Sequence, residues 1–265
     1  MNIQYWHTYF DTDYDPMYLP AWHCPVCLKG ILHRSENSVK IFVNEAFKRK
    51  WKNESIDDGE GHGNFVGVLT CNNKNCKENI MFSGLMFGVP EVNQAEDDVD
   101  VVEHISPRYF NPALRILPYQ SYYPKEVEDA LLKSYEVFWI ENAACAGAIR
   151  KVVEVIMTDR GIPKTTINKN HKRVILPLNQ RIDKFRVKNP EVSEMLEAIK
   201  WIGNDGSHAQ DELKRDDIWK AYDILEHGLE KLYNQEHKII LKAAKAINKS
   251  KGIKRPKEKF KFGIR

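Results

Sequence analysis

The spacing of apolar positions changes along the chain, and the change divides it. Up to about residue 90, apolar residues gather in short β-branched and aromatic runs. These are Ser38-Val-Lys-Ile-Phe-Val-Asn44, Asn64-Phe-Val-Gly-Val-Leu-Thr70 and Ile80-Met-Phe-Ser-Gly-Leu-Met-Phe87. Runs of this length bounded by Asn, Gly and Asp predict short strands. The segment Asp57-Asp-Gly-Glu-Gly-His-Gly-Asn64 reads as a turn-rich connection between two of them.

From Pro124 onward the period is helical. Val127, Leu131, Tyr135, Phe138, Cys145, Ala148, Val152 and Ile156 predict one long or once-kinked helix, stopped after Asp159 by Gly161 and Pro163. A shorter helix is expected over Leu178–Phe185. A third runs from Pro190 with Val192, Leu196, Ile199 and Ile202 on one face, ending at Gly203. A fourth starts at Asp216 or Asp217, carries Ile218, Tyr222, Leu225, Leu229 and Leu232, and extends through Ile239 and Ile240 to Ile247. Four amphipathic helices with modest connections predict a bundle. The stretch between the two zones holds Glu91, Glu96, Asp97, Asp98, Asp100 and Glu103 without a base, then Pro107, Pro112, Pro118 and Pro124. Prolines so spaced stop a helix from propagating, which predicts an extended linker. The expected fold class is therefore α+β. A β-rich domain (1–90) and an acidic linker (91–123) precede a four-helix bundle (124–247) and a basic tail (248–265).

Composition narrows the function classes. With 42% hydrophobic and 29% charged residues over 265 positions, the chain has the apolar content for a folded core. No apolar run reaches the roughly 18 residues of a membrane span, and the start lacks a basic and apolar leader pattern. A soluble, cytoplasmic protein is expected, with no membrane partner. The net charge of +3 hides an asymmetry: residues 241–265 carry ten Lys or Arg against Glu258 alone, leaving that segment at +9 and the preceding residues at −6. Such a tail attracts phosphate, which makes Lys249, Lys251, Lys254, Arg255, Lys257, Lys259 and Lys261 candidate contacts to RNA or DNA. A solubilising tail, or one folded onto the acidic body, satisfies the same composition.

The cysteines carry the sharpest chemistry. Cys24-Pro-Val-Cys27 and Cys71-Asn-Asn-Lys-Asn-Cys76 each place two thiols on one tight turn. Two such turns brought together supply the four-thiolate set of a structural Zn2+ site, which would staple a zone too small to bury a large core. A redox pair or unrelated thiols are the alternatives, though no βαβ pattern surrounds Cys24. His23 abuts the first pair as a spare ligand. Cys145, among Ala143, Ala144, Ala146 and Gly147, reads as a small core residue.

The end of the third predicted helix, Ile199-Lys-Trp-Ile-Gly-Asn-Asp-Gly-Ser-His-Ala209, concentrates polar chemistry. Asn204 and His208 read either as partners of the orphan carbonyls at a helix end or as a reactive pair, since imidazole exchanges protons near neutral pH. On the Cys-x-x-Cys and Cys-x4-Cys turns, Arg150-x-x-x-Glu154, Leu178-x-x-x-Ile182 and Gly203-Asn-x-x-x-His208, the chain resembles a bacterial domain-of-unknown-function family. That family is grouped with the HEPN superfamily of nucleotide-binding helical bundles. The resemblance implies a helical bundle, often a homodimer, serving anti-phage defence or restriction alongside protein partners. It also implies the chemistry of metal-independent ribonucleases built on an Arg-Asn-x-x-x-His motif. Asn204 and His208 match that motif, whereas Gly203 stands in the arginine's place. Lys200, one turn earlier on the same helix, is one substitute cation, and an arginine from another element or from a second subunit is the alternative. Loss of the arginine ranks a non-catalytic binding module first, a ribonuclease using His208, Asn204 and Lys200 second, and a dimeric scaffold third. Phosphate-loop, nucleophile-elbow and His-Glu-x-x-His signatures are absent.

Overall fold

The computed structural model describes residues 19–45, 48–49, 63–93, 98–208, 213–234 and 236–253. Its first part is an antiparallel meander in the order β1 (Leu32–Val43), β2 (Gly63–Cys71), β3 (Asn79–Asn93) and β4 (Asp98–Asn111). Strict alternation builds β2: Phe65, Leu69 and Cys71 turn inward, whereas Asn64 and Val66 face out. The predicted segments at 64–70 and 80–87 lie inside longer observed strands, and that at 38–44 overlaps β1 up to Val43.

The stretch expected to be a linker differs most. Its described acidic residues, 91–93 and 98–103, are strand, because β3 and β4 pair continuously from Gly84↔Pro107 to Asn93↔Asp98. Val92, Val99, Val101 and Val102 supply the β-branched character that the surrounding acids obscure. Pro107 is tolerated because β4 is a sheet edge, where a missing N–H breaks no inner ladder. Beyond β4 the chain is core: Leu114, Ile116 and Leu117 are buried. Arg115 pairs there with Glu128, both sides of the pair being largely buried.

The expected four-helix bundle is corrected to six helices among the described residues. They are α1 (Lys125–Phe138), α2 (Asn142–Asp159), α3 (Leu178–Arg186), α4 (Pro190–His208), α5 (Arg215–Tyr233) and α6 (Glu236–Ser250). A small hairpin of β5 (Thr165–Ile167) and β6 (Arg173–Ile175) joins α2 to α3. The additional helices arise from local capping. Glu141 is extended, and its carboxylate accepts from the N–H groups of Ala143 and Ala144, which starts α2 afresh after α1. Asn234 likewise leaves helical geometry, and its Oδ1 accepts from Glu236 N at 2.9 Å. Apolar spacing runs through both breaks unchanged, so periodicity alone joins the pieces. Gly203, expected to end a helix, lies inside α4. A Cβ there would meet Arg150 Cβ at 2.8 Å and Ala146 O at 3.1 Å, so the glycine permits a close crossing of α4 over α2.

One hydrophobic core runs through both halves. Its seam is aromatic: the Trp22 ring lies 5.2 Å from Phe110 and 6.1 Å from Trp139, which is itself 4.6 Å from Phe110. Phe138 continues the line to Trp219 at 4.9 Å. Cys145 is buried, and burial pushes its thiol up to about 12, as expected of an inert core residue. Because sheet and helices share the seam, we expect Trp139→Ala to destabilise the whole chain by about 3–5 kcal/mol. Denaturation followed separately by thiol exposure in the sheet and by helical ellipticity should still give coincident transitions. Separated midpoints would contradict a shared core.

Candidate functional site

The first candidate site is the cysteine cluster. Cys24 and Cys27 occupy the turn before β1, Cys71 ends β2, and Cys76 lies on the turn leading to β3. Their sulfurs all fall within 4.8 Å of one another, a grouping that can hold a metal ion. Two of the pairs stand in contact, Cys24–Cys76 at 3.8 Å and Cys27–Cys71 at 3.6 Å. Those separations far exceed a disulfide's roughly 2.0 Å, and all four are free thiols. His23 is not a member of the cluster.

The two turns are built alike. In each, the residue after the second cysteine adopts a left-handed conformation: Leu28 at φ 61° and Lys77 at φ 52°. Leu28 N donates to Cys24 O at 3.0 Å, and Lys77 N donates to Asn73 O at 3.0 Å. Gly30 N points at Cys27 Sγ from 3.3 Å. The turns are tied by Ile31 N donating to Asn72 Oδ1 at 2.9 Å and Asn72 N donating to Ile31 O at 3.0 Å. N–H groups of Gly30 and Lys29 lower the Cys27 thiol to about 6. Burial instead pushes Cys24 up to about 12 and raises Cys71. A cation held among the four sulfurs would reconcile these environments, because metal ligation requires the thiolate form.

Gly30 makes the approach of the turns feasible. A Cβ at this position would sit 2.2 Å from Cys71 Sγ.

The second candidate site is a cleft of about 790 Å³ between α2, α3, α4 and the β5–β6 hairpin. It gathers Arg150, Glu154, Lys200 and Asn204 from the sequence-predicted set and adds Arg181 and Trp201. Arg150 Nη1 donates to Asn204 Oδ1 across the crossing that Gly203 permits. Lys200 is 4% exposed, lies 3.1 Å from Glu197, and stands 3.8 Å from the Trp201 ring centre. It is thus a paired, enclosed cation. Trp201 is 56% exposed and lines the cleft, with the Lys200 ammonium over one side of its ring. Glu154 is held by Lys151 at 2.5 Å rather than by Arg150.

The remaining predicted residues fall elsewhere. His208 closes α4, and its side chain lies outside the described residues. Lys249 is exposed near the end of α6 and Lys251 just beyond it. Lys254, Arg255, Lys257, Lys259 and Lys261 lie outside the described residues. On α6, Lys242, Lys245 and Lys249 recur at helical spacing, while Ile239, Ile240 and Ile247 are also exposed. Among the described residues no helix is long and apolar enough to cross a membrane. Sequence reasoning missed Arg181, although a signal existed. It falls in register with Leu178, Ile182 and Phe185, a charge on an otherwise apolar helix face.

The Gly30 contact generates a test. Gly30→Ala should displace Cys71 and reduce metal content well below that of the wild-type chain, measured by metal analysis of folded protein. Full stoichiometry in a folded variant would contradict the close packing.

Comparison with known proteins finds two families, both described by their unknown function. Residues 133–250 match the family model described as Domain of unknown function (DUF4145), and residues 12–114 match that described as Domain of unknown function (DUF8608). No curated protein and no solved structure matches the chain. The two matches fall on the helical part and on the sheet with its cysteine turns.

Proposed function

We propose that the protein is a nucleic-acid-binding module in which a zinc-stapled sheet braces a HEPN-like helical part, and that it serves a bacterial anti-phage defence or restriction system. The observation that carries the binding reading is the cleft. Arg150, Lys151, Lys164, Arg181 and Lys200 line it against Glu154, Asp183 and Glu197, and the exposed Trp201 stands beside them. Cations that track phosphates, together with an aromatic face that stacks on a base, are the two parts of single-strand recognition. The basic helix α6 and the tail beyond it add sequence-independent attraction to phosphate. The resemblance of Gly203-Asn-x-x-x-His208 to the HEPN motif supports the same assignment.

Zinc is the ion that fits the cysteine cluster. A tetrahedral site with Zn–S bonds of about 2.3 Å has sulfur–sulfur edges of roughly 3.8 Å, and two of the pairs stand at 3.6 and 3.8 Å. Four protein ligands leave no open position, so the role is structural. One zinc per chain is the expected content. Chelation should lower the melting temperature by many degrees, and zinc should restore it. Unchanged melting after complete metal removal would refute the staple.

A second reading is favoured by one contact. With Gly203 in the motif arginine's place, the guanidinium beside Asn204 comes from Arg150 on α2. In a metal-independent ribonuclease, His208 would take the proton of an RNA 2′-hydroxyl as that oxygen attacks phosphorus and the 5′-oxygen leaves. Arg150 would then stabilise charge on the phosphoryl oxygens. Lys200 is less suited to that task because Glu197 already pairs with it.

Two experiments separate these readings. Polarisation of labelled single-stranded RNA and DNA against salt should show affinity falling steeply with ionic strength. Trp201→Ala should weaken it by about 1–3 kcal/mol, and removal of residues 249–265 should flatten the salt slope. Binding that is absent at low salt would overturn the module. Brief incubation with RNA in chelator, comparing wild type with His208→Ala and Arg150→Ala, tests catalysis. Cleavage lost in both variants supports the ribonuclease, and absence of cleavage by wild type leaves binding as the function.

A further inference from the structure

The cleft wall holds a buried guanidinium without an acidic partner. Arg181 is 4% exposed, on the face of α3 that also buries Leu178, Ile182 and Phe185. Its Nη2 donates to Thr158 Oγ1 at 2.8 Å and to Ile162 O at 3.1 Å, both uncharged acceptors. Its Nε is buried with no hydrogen-bond partner. Among the described residues, no carboxylate forms an ion pair with it.

The acids around the cleft are committed elsewhere. Glu154 is taken by Lys151 at 2.5 Å, Glu197 is shared by Arg186 and Lys200, and Asp183 lies 4.0 Å from Arg186. Glu154 does favour the Arg181 charge through space, yet burial prevails and lowers its pKa. A buried charge without an opposite charge is costly, and an apolar residue of similar length would pack on α3 with less penalty. The guanidinium therefore reads as half of an ion pair whose other half arrives with a ligand.

We infer that Arg181 anchors a phosphate subsite that receives the terminal phosphoryl group of a nucleotide or oligonucleotide strand seated in the cleft. This rests on the nucleic-acid reading and deepens it. A phosphodiester in mid-strand is flanked by sugars on both sides, whereas a terminal phosphate is free on one side and so approaches an almost fully enclosed cation more readily. Planar guanidinium donors match phosphate oxygens in a way an ammonium does not. Trp201, exposed on the same cleft, offers its ring to the base behind the phosphate.

The test uses the full chain and one short single-stranded RNA made with a 5′-phosphate, a 3′-phosphate or hydroxyls at both ends. Wild type should bind one phosphorylated form about tenfold more tightly than the hydroxyl form, and inorganic phosphate should raise its melting temperature. Arg181→Met should lose the preference, so that it binds the phosphorylated and hydroxyl strands alike, and should melt no lower than wild type without ligand. Equal affinity for all three strands in wild type, or a preference that survives Arg181→Met, overturns the subsite. If Arg181→Met does not fold, Arg181→Lys decides: a preference reduced several-fold supports the anchor, and an undiminished one overturns it. A nucleoside 5′-monophosphate that competes as well as the strand identifies a mononucleotide ligand, and weaker competition identifies a strand end. Strands bound equally, with no phosphate effect, remove the subsite and leave nucleic-acid binding intact. Stabilisation by inorganic phosphate that Arg181→Met abolishes, with no strand bound, does the reverse.

Discussion

The packing of Trp139 against Trp22 and Phe110 is the constraint on which the architecture rests. Trp22 precedes the first cysteine turn, Phe110 lies near the end of the last long strand, and Trp139 follows the first helix. Their rings meet edge to face or tilted, the arrangements aromatic quadrupoles prefer. Through Phe138 and Trp219 the contact extends into the helices. The regions matched by the two families thus belong to one continuous core, although each match covers only its own part of the chain. A cut between them would expose indole and phenyl rings on both sides.

Both candidate sites depend on the absence of a side chain at one position. At Gly30 the missing Cβ leaves room for the Cys71 sulfur, and at Gly203 it lets α2 and α4 cross closely enough for Arg150 to reach Asn204. In neither case is the glycine needed for an unusual backbone angle. What matters is the approach of two elements distant in sequence. Chemistry is assembled where the fold has made space, and the groups that carry it come from different strands and helices.

This explains which features could be read from sequence. Cysteine spacing was legible because a thiol pair on a tight turn is a local arrangement, and the runs around Phe65 and Phe82 were legible because β alternation is local as well. The strand residues at 91–93 and 98–103 were not, since their valines lie among acids that dominate composition. The helix breaks at Glu141 and Asn234 are set by side-chain hydrogen bonds to backbone N–H groups, which leave the apolar period undisturbed. Gly203 reads as a stop in sequence because a glycine that ends a helix and one that admits a neighbouring helix look identical along one chain. Arg150 was visible as a motif residue, but its bond to Asn204 spans 54 positions and belongs to tertiary structure. Arg181 broke the apolar face of its helix in plain view, and only its burial without an acid gave that break a meaning.

The metal-binding geometry also sets a clock. Cys27 and its neighbour in the cluster, Cys71, are 44 positions apart. At roughly 5–20 residues per second, the ribosome takes about two to nine seconds to follow the first thiol pair with the start of the second. During that interval Cys24 and Cys27 form only half of the four-thiol cluster. The hydrogen bonds that tie Ile31 to Asn72 cannot form until the second turn has been made. On the zinc reading proposed above, a chain can be fully loaded only after that second turn has been made.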